Sequence, residues 1–204
     1  MQGYILNVAK VKNEDCIVSI ITPQRILRCY RFYGARHSNI IQGYKLDFEI
    51  ETSLNFLPRL KNVLHLGFPY LLERNLLLKW QELTRLFWLH LRDLNEIDEF
   101  YFELLEKCGN KFSKQNPKRI VVEAYLEILE FEGRKHSLNV CYFCGEKLSN
   151  EICLTRGFLP SHFACSGGAK FNFADIAELF KIKSAINLSD DEITTLYGVI
   201  LEGF

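Results

Sequence analysis

Apolar and polar positions change their rhythm once along this chain, near residue 70. Before that point the apolar segments are short and strand-like. Tyr4–Val11 is rich in β-branched and aromatic residues, and Cys16–Ile21 is a continuous apolar run. Thr22-Pro23-Gln24 reads as a turn before Arg25–Tyr33, after which Gly34 breaks the pattern. Tyr44–Glu51 alternates strictly, with Leu46, Phe48 and Ile50 on one face and charged residues on the other, as a half-buried strand requires. A fifth strand, Arg59–Leu66, ends at Gly67 and Pro69. Five short strands with no helix long enough for a parallel crossover predict a small antiparallel barrel such as an OB-fold.

From Tyr70 the period lengthens to between three and four. Leu72, Leu76, Trp80, Leu83, Phe87, Leu91 and Leu94 form one stripe of a long amphipathic helix over 70–94, with further leucines and Trp88 widening the apolar surface. A second helix is expected over Glu96–Lys107, stopping at Gly109. A third has Asn116 as its N-cap and Pro117 at its first position, and stops near Gly133. Two more follow late in the chain, over Phe173–Lys183 and after the capping-box sequence Ser189-Asp190-Asp191-Glu192. The expected architecture is α+β and multidomain: a barrel over 1–70, then a helical bundle over 71–204 with a cysteine-rich insertion at 141–165.

Composition adds a compartment and a charge asymmetry. No apolar run approaches the ~20 residues that span a bilayer, and the first residues lack a signal-peptide layout, so a cytoplasmic address is expected. The formal net charge is zero. Residues 1–70 nevertheless hold nine Lys/Arg against five Asp/Glu, whereas residues 141–204 hold five against eight. The positive excess therefore sits on the expected barrel.

Four of the seven cysteines crowd into 141–165, which in a reducing compartment points to metal ligation. Cys141-Tyr142-Phe143-Cys144-Gly145 is a knuckle, in which two thiolates two residues apart reach one ion and the glycine tolerates the tight turn. His162-Phe163-Ala164-Cys165 repeats that gap. The favoured ligand set is Cys141, Cys144, His162 and Cys165, with Cys153 as the alternative to His162. Cys153 lies between apolar residues and reads as a packed thiol. Four protein ligands close a tetrahedral shell, so a zinc ion here would be structural, without an open position for activated water. Phosphate-binding, dinucleotide, serine-hydrolase and zinc-protease motifs are all absent, and the expectation is a protein that is not an enzyme.

A barrel, a helical bundle and a late knuckle pair form a layout that resembles the bacterial RecO family. Gly3-Tyr4-Ile5-Leu6 is similar to that family's first strand, Asp15–Pro23 to its second strand, Tyr33-Gly34-Ala35-Arg36 to its basic segment, and Cys141-x-x-Cys144-Gly145 with Gly157-Phe158-Leu159 to its zinc region. The family's usual third cysteine stands here as His162. The resemblance implies a nucleoid-associated recombination mediator in DNA repair. Such a protein binds single- and double-stranded DNA, anneals strands, contacts RecR and the single-strand-binding protein, and helps load the recombinase.

Expected DNA contacts are Arg25, Arg28, Arg31 and Arg36, which are interleaved with Tyr30, Phe32 and Tyr33, together with Lys10 and Lys12. Alternation puts Arg28, Tyr30 and Phe32 on one face and Arg31 and Tyr33 on the other. Lys79, Arg85 and Arg92, on the long helix, are the expected docking cations for the acidic, apolar tail of the single-strand-binding protein. The competing class is a zinc-braced protein-interaction adaptor without direct DNA binding, and salt-dependent DNA binding separates the two.

Overall fold

A computed structural model describes residues 1–52 and 54–204. The chain divides into two compact units, Met1–Ser113 and Lys114–Phe204.

The first unit is built on a closed five-stranded barrel. Its strands are β1 (Gln2–Lys10), β2 (Cys16–Ile21), β3 (Ile26–Arg31), β4 (Lys45–Glu51) and β5 (Arg59–His65), joined in the order β1-β2-β3-β5-β4 and closed by β4 on β1. All pairings are antiparallel except β3 with β5, which meet at Tyr30 and Arg59. This is the arrangement of an OB-type barrel. The alternating residues do what their period requires: Ile5, Val18, Ile20, Leu27, Cys29, Leu46, Phe48 and Leu60 fill the interior.

Helices α1 (Arg74–Leu91) and α2 (Glu99–Lys111) belong to this unit, so it runs past residue 70, where the period changes, to Ser113. The reason is packing. Trp80 of α1 is fully buried, donates its indole N–H to the Gly43 carbonyl at 2.6 Å, and is ringed by Tyr4, Phe68, Tyr70 and Phe112. Lys45 of β4 pairs with Glu106 of α2 at 2.6 Å. The long stripe is therefore shorter than its pattern: Trp80, Leu83, Phe87 and Leu91 are buried, while Leu72 and Leu94 at its two ends are exposed. Gly109 does not stop α2. It lies inside the helix, where its missing side chain leaves room for the Phe68 ring.

The second unit contains α3 (Pro117–Phe131), a three-stranded sheet ordered β7-β6-β8, the one-turn α4 (Phe163–Ser166), α5 (Phe173–Ile182) and α6 (Asp190–Leu201). The sheet strands are β6 (Glu151–Thr155), β7 (Leu159–Ser161) and β8 (Lys170–Asn172). The helix starts follow the sequence. Asn116 caps α3 by accepting from the Lys118 amide, and Ser189 with Glu192 makes a complete capping box on α6. Arg119 of α3 ties the start of α6, bonding the Leu188 carbonyl at 2.7 Å and Asp190 at 3.0 Å. The helices after residue 70 are thus shared between two units, where one bundle was expected.

Candidate nucleic-acid interface and metal centre

One rim of the barrel collects most of the cations expected to meet DNA. Register places Lys10 opposite Cys16, Cys16 opposite Arg31, and Arg59 between Tyr30 and Glu51. The ends of β1, β3 and β4 and the starts of β2 and β5 therefore share this rim. Lys10, Lys12 and Arg36 are exposed there, and half-buried Arg31 donates to the Leu60 carbonyl at 2.8 Å.

A small clamp shapes the rim. Asp15 is buried and accepts the Tyr30 hydroxyl together with the Tyr33 amide at 2.7 Å. Tyr33 is held at a φ of 50°, and Gly34 follows because a Cβ there would lie 2.9 Å from that of Cys16. The clamp turns Tyr33 and Arg36 outward, with the Arg36 guanidinium 5.6 Å from the Tyr33 ring centre and paired to Glu14. The Tyr30 hydrogen bond first, and the Tyr33 amide second, hold the Asp15 carboxyl below its ordinary value. A carboxylate lowered on folding stabilises above its unfolded pKa of about 3.9, and that contribution disappears as pH falls through the folded value. Protection of the Tyr33 amide, relative to its intrinsic exchange rate, is expected to hold down to about pH 4 and to fall below it. In Asp15→Ala, which has no side-chain acceptor, exchange should be fast already at neutral pH; equal protection in that variant would refute the clamp.

Beside the clamp lies a hollow of about 520 Å³ lined by Ile17, Tyr30, Phe32, Phe56, Leu57 and Arg59. Phe32 and Phe56 are exposed, Tyr30 meets Phe32 edge to face at 5.0 Å, and Arg59 lies 5.1 Å from the Phe32 ring centre. Glu51 pairs with Arg59 at 3.7 Å and Lys61 at 2.8 Å. Exposed rings beside cations are the surface chemistry that takes unpaired bases and their phosphates.

The six expected DNA residues do not all come together. Lys10, Lys12, Arg31 and Arg36 share the rim, whereas Arg25 and Arg28 stand towards the other end of the barrel. Arg25 is paired through its backbone with Glu96 in the connection between α1 and α2. Arg28 donates to the Arg92 carbonyl and covers Trp88 at 5.7 Å. Arg59 and Phe56 were missed. Their signal lay in topology, since a barrel of this order must lay β5 beside β3.

Of the three docking cations expected on α1, exposed Arg85 and Arg92 share the face that carries Trp88 and Leu89, close to Arg28. Lys79 lies around the helix from them, paired with Glu82 at 2.8 Å.

The second unit brings Cys141, Cys144, His162 and Cys165 together, with all four ligand atoms within 4.8 Å of one another. The first knuckle is a tight turn, closed by the Gly145 amide on the Cys141 carbonyl at 2.9 Å with Gly145 at a φ of 75°. The second pair sits on α4, where His162 is the N-cap and Cys165 lies within the helical turn. The Tyr142 amide, bonded to the Pro160 carbonyl at 2.8 Å, fixes the first knuckle to β7.

His162 points Nδ1 at Cys144 Sγ (3.4 Å) and Cys165 Sγ (4.0 Å), while its Nε2 lies 3.2 Å from the Lys147 carbonyl. A histidine ligand is oriented in this way, with one nitrogen for the ion and the other held by an acceptor. Burial pushes the Cys141 thiol up, but backbone amides from Cys144, His162 and Phe143 outweigh it and draw the group down to about 6. Cys165 is pushed up to about 11 by burial and by its two thiol neighbours, a repulsion that a bound cation would remove. The cluster can hold a metal ion. Cys153 is outside it: its thiol is buried in β6 and donates to the Gly168 carbonyl at 3.4 Å.

A five-stranded barrel with an aromatic and cationic rim, followed in the same chain by a three-cysteine, one-histidine cluster that could hold a metal ion, defines an OB-type protein with a cysteine-rich accessory unit. Residues 1–71 match the family model described as RecO N terminal. The match covers the whole barrel and stops short of α1. No curated protein matches the chain. Among the described residues, no helix is long and apolar enough to cross a membrane.

Proposed function

We propose that this chain is a non-enzymatic, DNA-binding recombination mediator in recombinational repair. The observation that carries the reading is the barrel rim, where Tyr30, Phe32, Phe56, Arg36 and Arg59 combine ring faces with guanidinium groups on a RecO N-terminal domain. Bases of a single strand stack on the rings, and the cations neutralise its phosphates. Duplex DNA uses the same cations through its backbone. In this reading Arg36, Arg59, Lys10 and Lys12 make the principal contacts, and Arg25 and Arg28 serve another surface.

The metal is read as zinc, because three thiolates and an imidazole form a soft, four-coordinate donor set. With all four positions filled by protein, its role is to brace the second unit. RecR and the single-strand-binding protein are the proposed partners. For the latter, the α1 face with Arg85, Arg92, Trp88 and Leu89, joined by Arg28, is the docking surface, since it offers cations beside apolar area to an acidic, apolar tail.

Salt titration of oligonucleotide binding tests the proposal. Affinity should fall steeply with salt, and Arg36→Ala with Arg59→Ala should weaken binding regardless of sequence and reduce the salt slope by about one unit each. Unchanged affinity and slope in the double variant would move the DNA site off the rim. Loss of partner binding alone would favour the zinc-braced adaptor.

A further inference from the structure

The knuckle pair exposes aromatic rings that metal binding does not require. Tyr142 and Phe143 lie between Cys141 and Cys144, Phe163 lies between His162 and Cys165, and each is 54–55% exposed. A buried ring contributes far more to stability than an exposed one, so three rings projected from one metal-site backbone are not there for the core. Tyr142 is set edge to face against His136 at 5.2 Å and Phe143 at 5.7 Å. Lys170 lies 5.3 Å from the Phe163 ring centre and is paired with Glu151.

Beside these rings lies a cleft of about 790 Å³, with Phe143, His136, Leu159, Arg134 and Arg156 among its lining residues. Glu132 occupies Arg134 through two of its nitrogens. Arg156 is exposed, and Glu202 also lines the cleft. Cationic groups thus stand next to projecting rings, as they do at the barrel rim, but in the other compact unit.

We propose that this knuckle face is a second single-stranded nucleic-acid site, in which bases stack on Phe143 and Tyr142 and Arg156 takes a phosphate. The ligand class rests on the DNA-binding reading above. Unpaired bases suit the surface better than an acidic peptide does. Phe143 presents an exposed ring in the same cleft lining as Arg156, with Tyr142 next to it, and stacking on such rings accepts any base. Two strand-binding surfaces on one chain give a physical basis for annealing, since each can hold one of two complementary strands.

The test uses the full chain in its metal-loaded form and a labelled 20-nucleotide oligo-dT. Tyr142→Ala combined with Phe143→Ala is expected to weaken binding about thirtyfold or more, the loss of two stacking rings, with metal content and melting temperature kept. Unchanged affinity overturns the proposal. Should the double variant lose its metal, Phe143→Trp supplies a direct reading. Quenching of the new indole by oligo-dT beyond that of the parent protein supports the site, and its absence at saturation overturns it. Displacement of oligo-dT from the knuckle by poly-glutamate at equal charge concentration also overturns it, in favour of an acidic protein partner. The Arg36→Ala, Arg59→Ala variant separates the two readings. If it alone loses affinity, the knuckle site fails and the rim stands; if only the knuckle variant does, the rim fails.

Discussion

Trp80→Ala is expected to cost about 3–5 kcal/mol, a fifth or more of the stability of an ordinary domain at about 5–15 kcal/mol. The indole is fully buried where α1 meets the barrel, between Tyr4, Phe68, Tyr70 and Phe112, so removing it opens a cavity walled by rings that cannot collapse together. It also deprives the Gly43 carbonyl of its donor. In thermal unfolding the first unit should melt on the order of 10–20 °C lower. Trp80→Phe keeps most of the volume but orphans the same carbonyl, and should cost about 1–3 kcal/mol. Equal melting of both variants and the parent would show that α1 does not brace the barrel.

Removing a metal ligand should have the other large effect. The free energy of a structural zinc is folding free energy, with apparent values of roughly 10–16 kcal/mol in small modules at neutral pH. Cys144→Ala and His162→Ala are each expected to lower metal content from one equivalent per chain towards zero and to expose 140–166 to protease. Cys153→Ala should keep the metal and cost about 1 kcal/mol, as small truncations do. Because the ligands bind as thiolates and neutral imidazole, protons compete for them, and metal retention should weaken as pH falls. Finding Cys153→Ala the most damaging of the three would overturn the ligand set.

Period and spacing carried much of this structure. Cys16–Ile21 appears with its expected ends, Asn116 and Ser189 cap the helices they were expected to cap, and the two-residue gaps locate the ligand cluster, because each of these signals is local. What stayed hidden depends on tertiary contact. The extent of the first unit to Ser113 is set by one tryptophan reaching across to Gly43, and no periodicity reports that. The arginines between residues 25 and 36 look equivalent in sequence, yet Arg28 faces α1 and Arg36 faces the rim, because the chain turns at Tyr33 and because α1 packs on the barrel. Arg59 and Phe56 join the rim only through the β3–β5 pairing, across about 30 residues of chain.

The placement of Trp80 also has a consequence for synthesis. The family match ends at residue 71, but Tyr4 and the rings beside it lack their cover until α1 has formed, and the barrel its brace until Glu106 of α2 reaches Lys45. A nascent chain carrying all five strands therefore still exposes Tyr4 and the neighbouring rings while it is tethered to the ribosome. Stable folding of the first unit is expected only after residue 113 has cleared the exit tunnel, so a fragment ending at the family boundary should aggregate where one ending at Ser113 remains monomeric.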